Sequence, residues 1–279
     1  MNRLLGELQR LYFPAPWHGR VVESDAPIHE LRADELAQGL AGEATVQLAL
    51  AAGEGRVRGM VLRFTRRADW PRVADLYQAL QQDLELPAPA IAASADDGYQ
   101  LWLSLAEPTP APVARAFLAA LVARYLVDLP PTAISTVPGS DSDSCQVGLV
   151  PALKVANDKW SAFIDPGMGS MFAEEAGLDM APNLDRQADM LAALRSIAPA
   201  ALQRAQELLA TAAAESATEQ SSGSAEMATA VLVSGTFSNP QSFLLAVMND
   251  PAVSLNQRIA AATALLPYTA PPVAKRDNG

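Results

Sequence analysis

Cysteine is almost absent from this chain, since Cys145 is the only one among 279 residues. A single cysteine excludes an internal disulfide framework and is typical of a protein kept in a reducing cytoplasm. Histidine is nearly as scarce, because His18 and His29 are the only two. Together with one cysteine they give no zinc-ligand spacing. The sequence therefore predicts a cytoplasmic protein without a structural zinc site.

Long apolar runs are also missing. No segment approaches the roughly 20 consecutive apolar residues that span a bilayer. The opening stretch MNRLLGELQRLYF is too short and too charged for the apolar core of a signal peptide. We therefore expect a soluble protein with no membrane partner.

Positive charge is in deficit, with 20 Lys and Arg against 31 Asp and Glu, a net charge of −11 and a pI near 4.6. This balance argues against a generally basic surface that coats nucleic acid. Six of the arginines nevertheless crowd into one stretch: Arg56, Arg58, Arg63, Arg66, Arg67 and Arg72. Two interpretations stay open for this cluster, a solvated strand edge or a local groove for nucleic acid.

Hydrophobic periodicity predicts alternating helices and strands over the first 200 residues. Helices are predicted at 2–12, 30–42, 69–84, 112–127 and 184–214. Strands are predicted at 45–50, 57–65, 90–93, 99–105, 147–153 and 160–164, and 130–143 has the composition of a loop. Asp69 is expected to cap the helix that follows it. The predicted fold class is α+β, an antiparallel sheet core flanked by helices.

The end of the chain has a different character. Residues 215–226, ESATEQSSGSAE, lack bulky apolar side chains and are predicted to form a flexible linker. The block 239–267 has the pattern of two short helices joined at Asp250-Pro251. We expect Phe243, Leu244, Val247 and Met248 to face Ile259, Ala262, Leu265 and Leu266 in a helical hairpin. The predicted domains are 1–200, a connecting segment 201–238, and a hairpin with its tail at 239–279.

Five segments in order give the chain a family resemblance. They are HELRADELAQGLAGEATVQLAL, VLRFTRRADW, LELPAPAIAASADDGYQLWLSL, PTPAPVARAFLAALVARYL and VGLVPALKVANDKWSAFIDP. Their order and spacing over about 30–166 resemble the archaeo-eukaryotic primases (primase–polymerases), especially the compact kind found in phages and mobile elements. The resemblance implies a primase-like, RRM-like sheet.

The residues that carry the chemistry of that family are replaced in this chain. Where the family has an acidic pair on a strand, this sequence has Arg63 and Thr65, and Gln100 stands where a histidine is expected. Nucleotide addition needs carboxylates that converge on divalent ions, so a cation in place of a ligand predicts that the site binds no metal and no cofactor. The resemblance leaves Asp165 as a residual metal candidate.

Three interpretations of the altered pocket stay open. In the first, the residues of the pocket serve packing only. In the second, Arg63, Gln100 and Lys154 hold a phosphate without metal. In the third, acidic residues that include Asp165 restore catalysis. On the strand that carries Gln100, Trp102 is either a core residue or a platform on which bases stack.

The block from Asn239 onward also resembles a short helical motif of some phage small terminase subunits. Its candidate partner-binding residues are Phe243, Leu244, Val247 and Arg258. The leading hypothesis is a catalytically inactive, primase-like accessory protein of a phage or mobile element. It would bind single-stranded or primed DNA, and the candidate nucleic-acid-binding residues include Arg63, Arg66 and Arg67. Alternatively, it would bind a replication or packaging protein through the hairpin. The alternatives are a phage DNA-packaging protein and a divergent, active primase or nucleotidyltransferase.

Overall fold

The computed structural model describes residues 2–22, 27–52, 55–139, 145–228, 239–250, 258–259 and 261–265. The chain divides into two compact units, Met1–Ala214 and Glu215–Gly279. Helices and antiparallel strands alternate along the first unit, which confirms the predicted α+β class. The division into 1–200, 201–238 and 239–279 stays a prediction.

Seven helices are described. They are α1 (Asn2–Leu11), α2 (Ala33–Ala41), α3 (Trp70–Gln82), α4 (Ala111–Tyr125), α5 (Leu184–Ala192), α6 (Pro199–Ala228) and α7 (Pro240–Asn249). Helix α1 places leucines at helical spacing on one buried face, at Leu4, Leu8 and Leu11. Among the described residues, no helix is both long and apolar enough to cross a membrane.

Eleven strands are described. They are β1 (His18–Val21), β2 (His29–Glu30), β3 (Val46–Ala49), β4 (Ala51–Ala52), β5 (Arg56–Phe64), β6 (Ala90–Ala93), β7 (Tyr99–Pro110), β8 (Ile134–Val137), β9 (Gln146–Gly148), β10 (Ala152–Lys154) and β11 (Lys159–Ile164). Seven of them form a sheet in the order β10-β11-β6-β7-β5-β4, with β8 paired to β5. The other four form a second sheet in the order β2-β1-β3-β9.

The seven-stranded sheet has two packed faces. On one face Trp102 contacts the rings of Tyr12 and Phe163. On the opposite face Tyr99 lies against Trp70 at the start of α3, with ring centroids 5.0 Å apart. The middle of β5 (59–62) and the first half of β7 (101–105) are thus buried on both sides, and neither stretch contains a charged residue.

Strand β5 is the part of the sheet that positions the candidate site. Val61 and Arg63 lie two residues apart and project to the same face. Their direct partners on β7 are Trp102 and Gln100. Arg63 is therefore the polar end of an otherwise apolar row that points toward the second sheet.

Four sequence predictions of secondary structure are wrong. The helix expected over 184–214 is two helices, α5 and α6, which are separated at 193–198. The strand expected over 147–153 is two strands, β9 and β10, which belong to different sheets, because Pro151 between them has no N–H to donate to a ladder. The loop expected over 130–143 contains β8, paired with β5. The linker expected over 215–226 is helical, as part of α6.

The second unit contains α7 and the helical residues 258–259 and 261–265. Val247 and Ala261 are buried together, with Leu244 and Met248 packed against them. This agrees with the predicted helical hairpin, although Ala261 rather than its neighbour Ala262 is the buried partner. Ile259, also expected at this contact, is 55% exposed.

Gly98, in the turn before β7, is required by its backbone geometry. Its φ is +75°, and a Cβ there would lie 1.9 Å from the carbonyl oxygen of Phe64. Gly55 has a similar φ of +65° but nothing within 4 Å of the same position. We expect Gly98→Ala to lower the free energy of unfolding by about 1–3 kcal/mol more than Gly55→Ala, because only the first adds overpacking to the strain of φ. Urea unfolding of both variants measures the difference, and equal losses would contradict the packing of this turn.

Candidate functional site

A cleft of about 720 Å³ separates parts of the two sheets. Its lining comes from β1, β3 and β9 on one side and from β5 and β8 on the other: Arg20, Gln47 and Gln146, then Arg63, Ser135, Thr136 and Val137, with Pro27 and Ile28 at the rim. This volume lies in the range of ligand pockets. Among the described residues that line it, the charged side chains are the two arginines, so this lining is electropositive in a protein of net charge −11.

Arg63 is the central cation of the cleft. Its Nη2 donates to the backbone carbonyl of Gln146 at 2.9 Å, which fixes the side chain against β9. Burial lowers the pKa of Arg63 below its ordinary value, yet a guanidinium stays protonated at neutral pH. Among the described residues no carboxylate forms an ion pair with it. Arg63 is therefore a half-buried cation whose charge is not neutralised within that part of the chain.

Arg20 supplies the second guanidinium, from the opposite wall. Its Nε donates to Oε1 of Gln47 at 2.9 Å, and Arg20 and Gln47 are direct partners on β1 and β3. No ion pair to Arg20 occurs among the residues that the structure describes. The hydrogen bond to Gln47 orients this guanidinium without cancelling its charge.

Gln100, the direct partner of Arg63 on β7, lines a second pocket of about 370 Å³. Its Oε1 accepts from Nε1 of Trp102 at 3.0 Å, which leaves the Nε2 hydrogens to donate. The same pocket is lined by Lys154 and Asp96, whose side chains form an ion pair. The structure thus places Gln100 beside Arg63 and in one pocket with Lys154, but Lys154 already has a carboxylate partner.

The other predicted arginines are held by partners of their own. Arg66 donates to both oxygens of Asp69, at 2.9 and 2.7 Å. Asp69 therefore serves Arg66 and makes no side-chain cap to α3, so the predicted cap is wrong. Arg67 pairs with Asp97 at 3.1 Å and donates to the backbone carbonyl of Glu174. These contacts stabilise the loop between β5 and α3.

The arginine cluster is also spread out in space. Arg56 and Arg63 stand at opposite ends of β5, about 23 Å apart at the rise of a strand. Arg72 forms ion pairs with Asp75 and Asp128. Of the six clustered arginines, only Arg63 lines the cleft, so closeness in sequence does not translate into one basic groove.

The residues present do not fit a divalent metal site. Thr65 is exposed at the end of β5, and its hydroxyl donates to the carbonyl of Thr132 at 3.3 Å. Asp165 follows β11, which is three strand steps from β5, about 14 Å away. Within the described residues no group of three or more His, Cys, Asp or Glu is placed to hold a metal. No step of a metal-dependent reaction can be assigned to these side chains.

Asp165 has a structural role instead. Its side chain accepts from the backbone N–H of Gly167 at 2.8 Å and caps the short helical segment Pro166–Phe172. We expect Asp165→Ala to lower the free energy of unfolding by about 0.5–2 kcal/mol, as for other lost N-caps. Thermal unfolding with and without Mg²⁺ checks this. If Mg²⁺ raised the melting temperature of the wild type but not that of Asp165→Ala, Asp165 would be a metal ligand after all.

Trp102 and Cys145 belong to packing. Trp102 is 1% exposed and contacts Tyr12 and Phe13 by its ring, so it is a core residue and offers no free face for a base. Burial raises the pKa of Cys145, which disfavours the reactive thiolate.

The hairpin candidates differ in their access to a partner. Val247 is buried and Leu244 packs against the same cluster, while the Nε of Arg258 donates to the carbonyl of Met248 at 2.9 Å. Phe243 is 44% exposed. Phe243 is therefore the candidate with the largest apolar surface left for contact, and the other three hold the hairpin together.

Sequence comparison finds no family model and no curated protein that matches this chain. Solved structures do match. One is the primase–polymerase (PrimPol) AEP domain of cyanophage S-2L, at 10% identity and a TM-score of 0.40, covering 68% of this chain and 97% of that one. Another is the polymerase domain of Mycobacterium tuberculosis ligase D in complex with DNA, at 15% identity and a TM-score of 0.40, covering 64% and 72%. Matches at this identity and score establish neither a family nor an activity for this chain.

Proposed function

We propose that this chain is a catalytically inactive, primase-like accessory protein that binds nucleic acid through its phosphates and without metal. The observation that carries the proposal is Arg63, a half-buried guanidinium in the cleft with no carboxylate partner among the described residues. It stands where the resembling family places a metal-binding carboxylate. With a guanidinium in place of a carboxylate, this position attracts an anion such as a phosphate rather than a metal ion.

The physical basis is the desolvation of Arg63. A cation that has lost part of its hydration gains more from a bound anion than an exposed one does. Hydrogen bonds between charged groups contribute about 1.5–3 kcal/mol each, and a guanidinium matches the geometry of a phosphate. Arg20 on the opposite wall adds to the same field. Because the net charge of the protein is −11, affinity has to come from this local site.

Catalysis is disfavoured by the same residues. Two-metal phosphoryl transfer needs several oxygen ligands around each ion. Arg63 repels such an ion, and Thr65 offers only one neutral hydroxyl oxygen as a ligand. The ordered motifs over 30–166 support the finer proposal of a phage or mobile-element replication module, in which exposed Phe243 would contact a protein partner. No observation specifically favours the packaging or active-enzyme alternatives.

Primer synthesis tests the catalytic half of the proposal. We expect no template-dependent extension by the full chain with Mg²⁺ or Mn²⁺. We also expect the double variant Arg63→Asp, Thr65→Asp to gain Mn²⁺ affinity, measured by calorimetry, because both side chains lie on one face of β5. Template-dependent extension by the wild type that is lost in Asp165→Ala would contradict inactivity. A double variant with no Mn²⁺ affinity would count against equating these positions with the family's acidic pair.

A further inference from the structure

Gln146 carries an unused hydrogen-bond acceptor in the wall of the cleft. Its Oε1 is buried and has no hydrogen-bond partner among the described residues, whereas its backbone carbonyl receives Nη2 of Arg63. A buried polar atom without a partner is rare in folded proteins. Since the terminal torsion of a glutamine side chain is soft, this oxygen can turn toward a donor brought by a ligand.

Three polar side chains of the four-stranded sheet, Arg20, Gln47 and Gln146, share one face. Arg20 pairs with Gln47 across β1 and β3, and Gln146 pairs with Ala49, two residues along β3 from Gln47. Side chains two residues apart on a strand point the same way. The cleft therefore offers guanidinium donors from both walls and one amide acceptor close to Arg63.

These groups are complementary to a ligand that has two features. The guanidiniums need an anion, and the acceptor of Gln146 needs a donor held next to that anion. A DNA backbone supplies the phosphate but has no hydroxyl on its sugar. An RNA backbone carries a 2′-hydroxyl beside each 3′-phosphate, and this hydroxyl can donate.

We propose that the cleft prefers single-stranded RNA to DNA, with the phosphate held at Arg63 and Arg20 and the adjacent 2′-hydroxyl donating to Oε1 of Gln146. This rests on the proposed function, because it requires that the cleft binds a phosphate backbone. One satisfied hydrogen bond of this kind corresponds to about a threefold to tenfold difference in affinity.

The ligand comparison needs only the wild-type full chain. Fluorescence anisotropy is measured in EDTA with three oligonucleotides of about 12 residues and the same bases: oligouridylate, oligodeoxyuridylate and 2′-O-methyl oligouridylate. We expect the RNA to bind about threefold to tenfold more tightly than the other two, since methylation keeps the sugar but removes the donor. RNA and DNA of equal affinity, or methylated RNA as tight as RNA, would overturn the role of Gln146. No binding of any of the three would overturn the proposed function itself.

Two glutamine variants separate the acceptor from a general effect of substitution. In Gln146→Leu we expect the ratio of RNA to DNA affinity to fall to about 1. Gln203, exposed on α6 and bonded to Glu207, is the matched control, and Gln203→Leu should keep the wild-type ratio. A wild-type ratio in a folded Gln146→Leu contradicts the inference, and if that variant does not fold the methylated ligand decides alone.

Discussion

Trp102→Ala is expected to lower the free energy of unfolding by about 3–5 kcal/mol, the range for removing a large buried aromatic side chain. Trp102 is the largest fully buried side chain. Its ring lies 5.1 Å from that of Tyr12 and 5.9 Å from that of Phe163. Truncation would therefore open a cavity between α1 and the sheet and remove a donor from Gln100. Urea unfolding followed by circular dichroism measures the loss.

Trp17 provides the control for this experiment. It is half-buried and packs against Phe13 with ring centroids 5.1 Å apart, so Trp17→Ala should cost clearly less than Trp102→Ala. A Trp102→Ala protein as stable as the wild type would contradict its position in the core. That result would reopen the interpretation of Trp102 as a platform on which bases stack.

Arg63→Gln is expected to weaken binding of a single-stranded oligonucleotide about 10–100-fold, which corresponds to the loss of one charge-assisted hydrogen bond. Glutamine keeps a polar side chain of similar length against Gln146 but removes the charge. Fluorescence anisotropy at low salt, in EDTA, gives the affinity of both proteins.

Arg72→Gln is the matched control because it changes the net charge by the same amount. Arg72 lies outside the cleft and pairs with Asp75 and Asp128. Its neutralisation should leave the affinity within about threefold. Equal losses in Arg63→Gln and Arg72→Gln would mean that binding follows overall charge, and the cleft would lose its special role.

Much of the seven-stranded sheet could be predicted from local patterns. The periodicity of Tyr99 to Leu105 and of Val57 to Thr65 predicted β7 and β5, and turn residues predicted their ends. Strand β8 was missed because Ile134–Val137 is short and follows two prolines. The helix over 215–228 was missed because polarity was given more weight than its alanines and glutamates, which favour helix.

The candidate site was predicted in part. Arg63 and Gln100 were identified from motifs, and the structure makes them direct partners on neighbouring strands. Arg20 and Gln146 were missed because the four-stranded sheet pairs segments far apart in sequence, Arg20 with Gln47 and Gln146 with Ala49. Such pairings have no local signal, and an isolated arginine in the alternating segment HGRV was the only hint.

The most direct test of metal-independent phosphate binding is the salt dependence of oligonucleotide affinity in EDTA, measured by anisotropy for the wild type and Arg63→Gln. We predict that the wild type binds single strands without metal and that its affinity falls as the salt concentration rises. In Arg63→Gln the slope of log affinity against log salt should shrink by about 0.7, the value for the loss of one phosphate contact. Binding that appears only when Mg²⁺ is added, or no binding at low salt, would contradict the account.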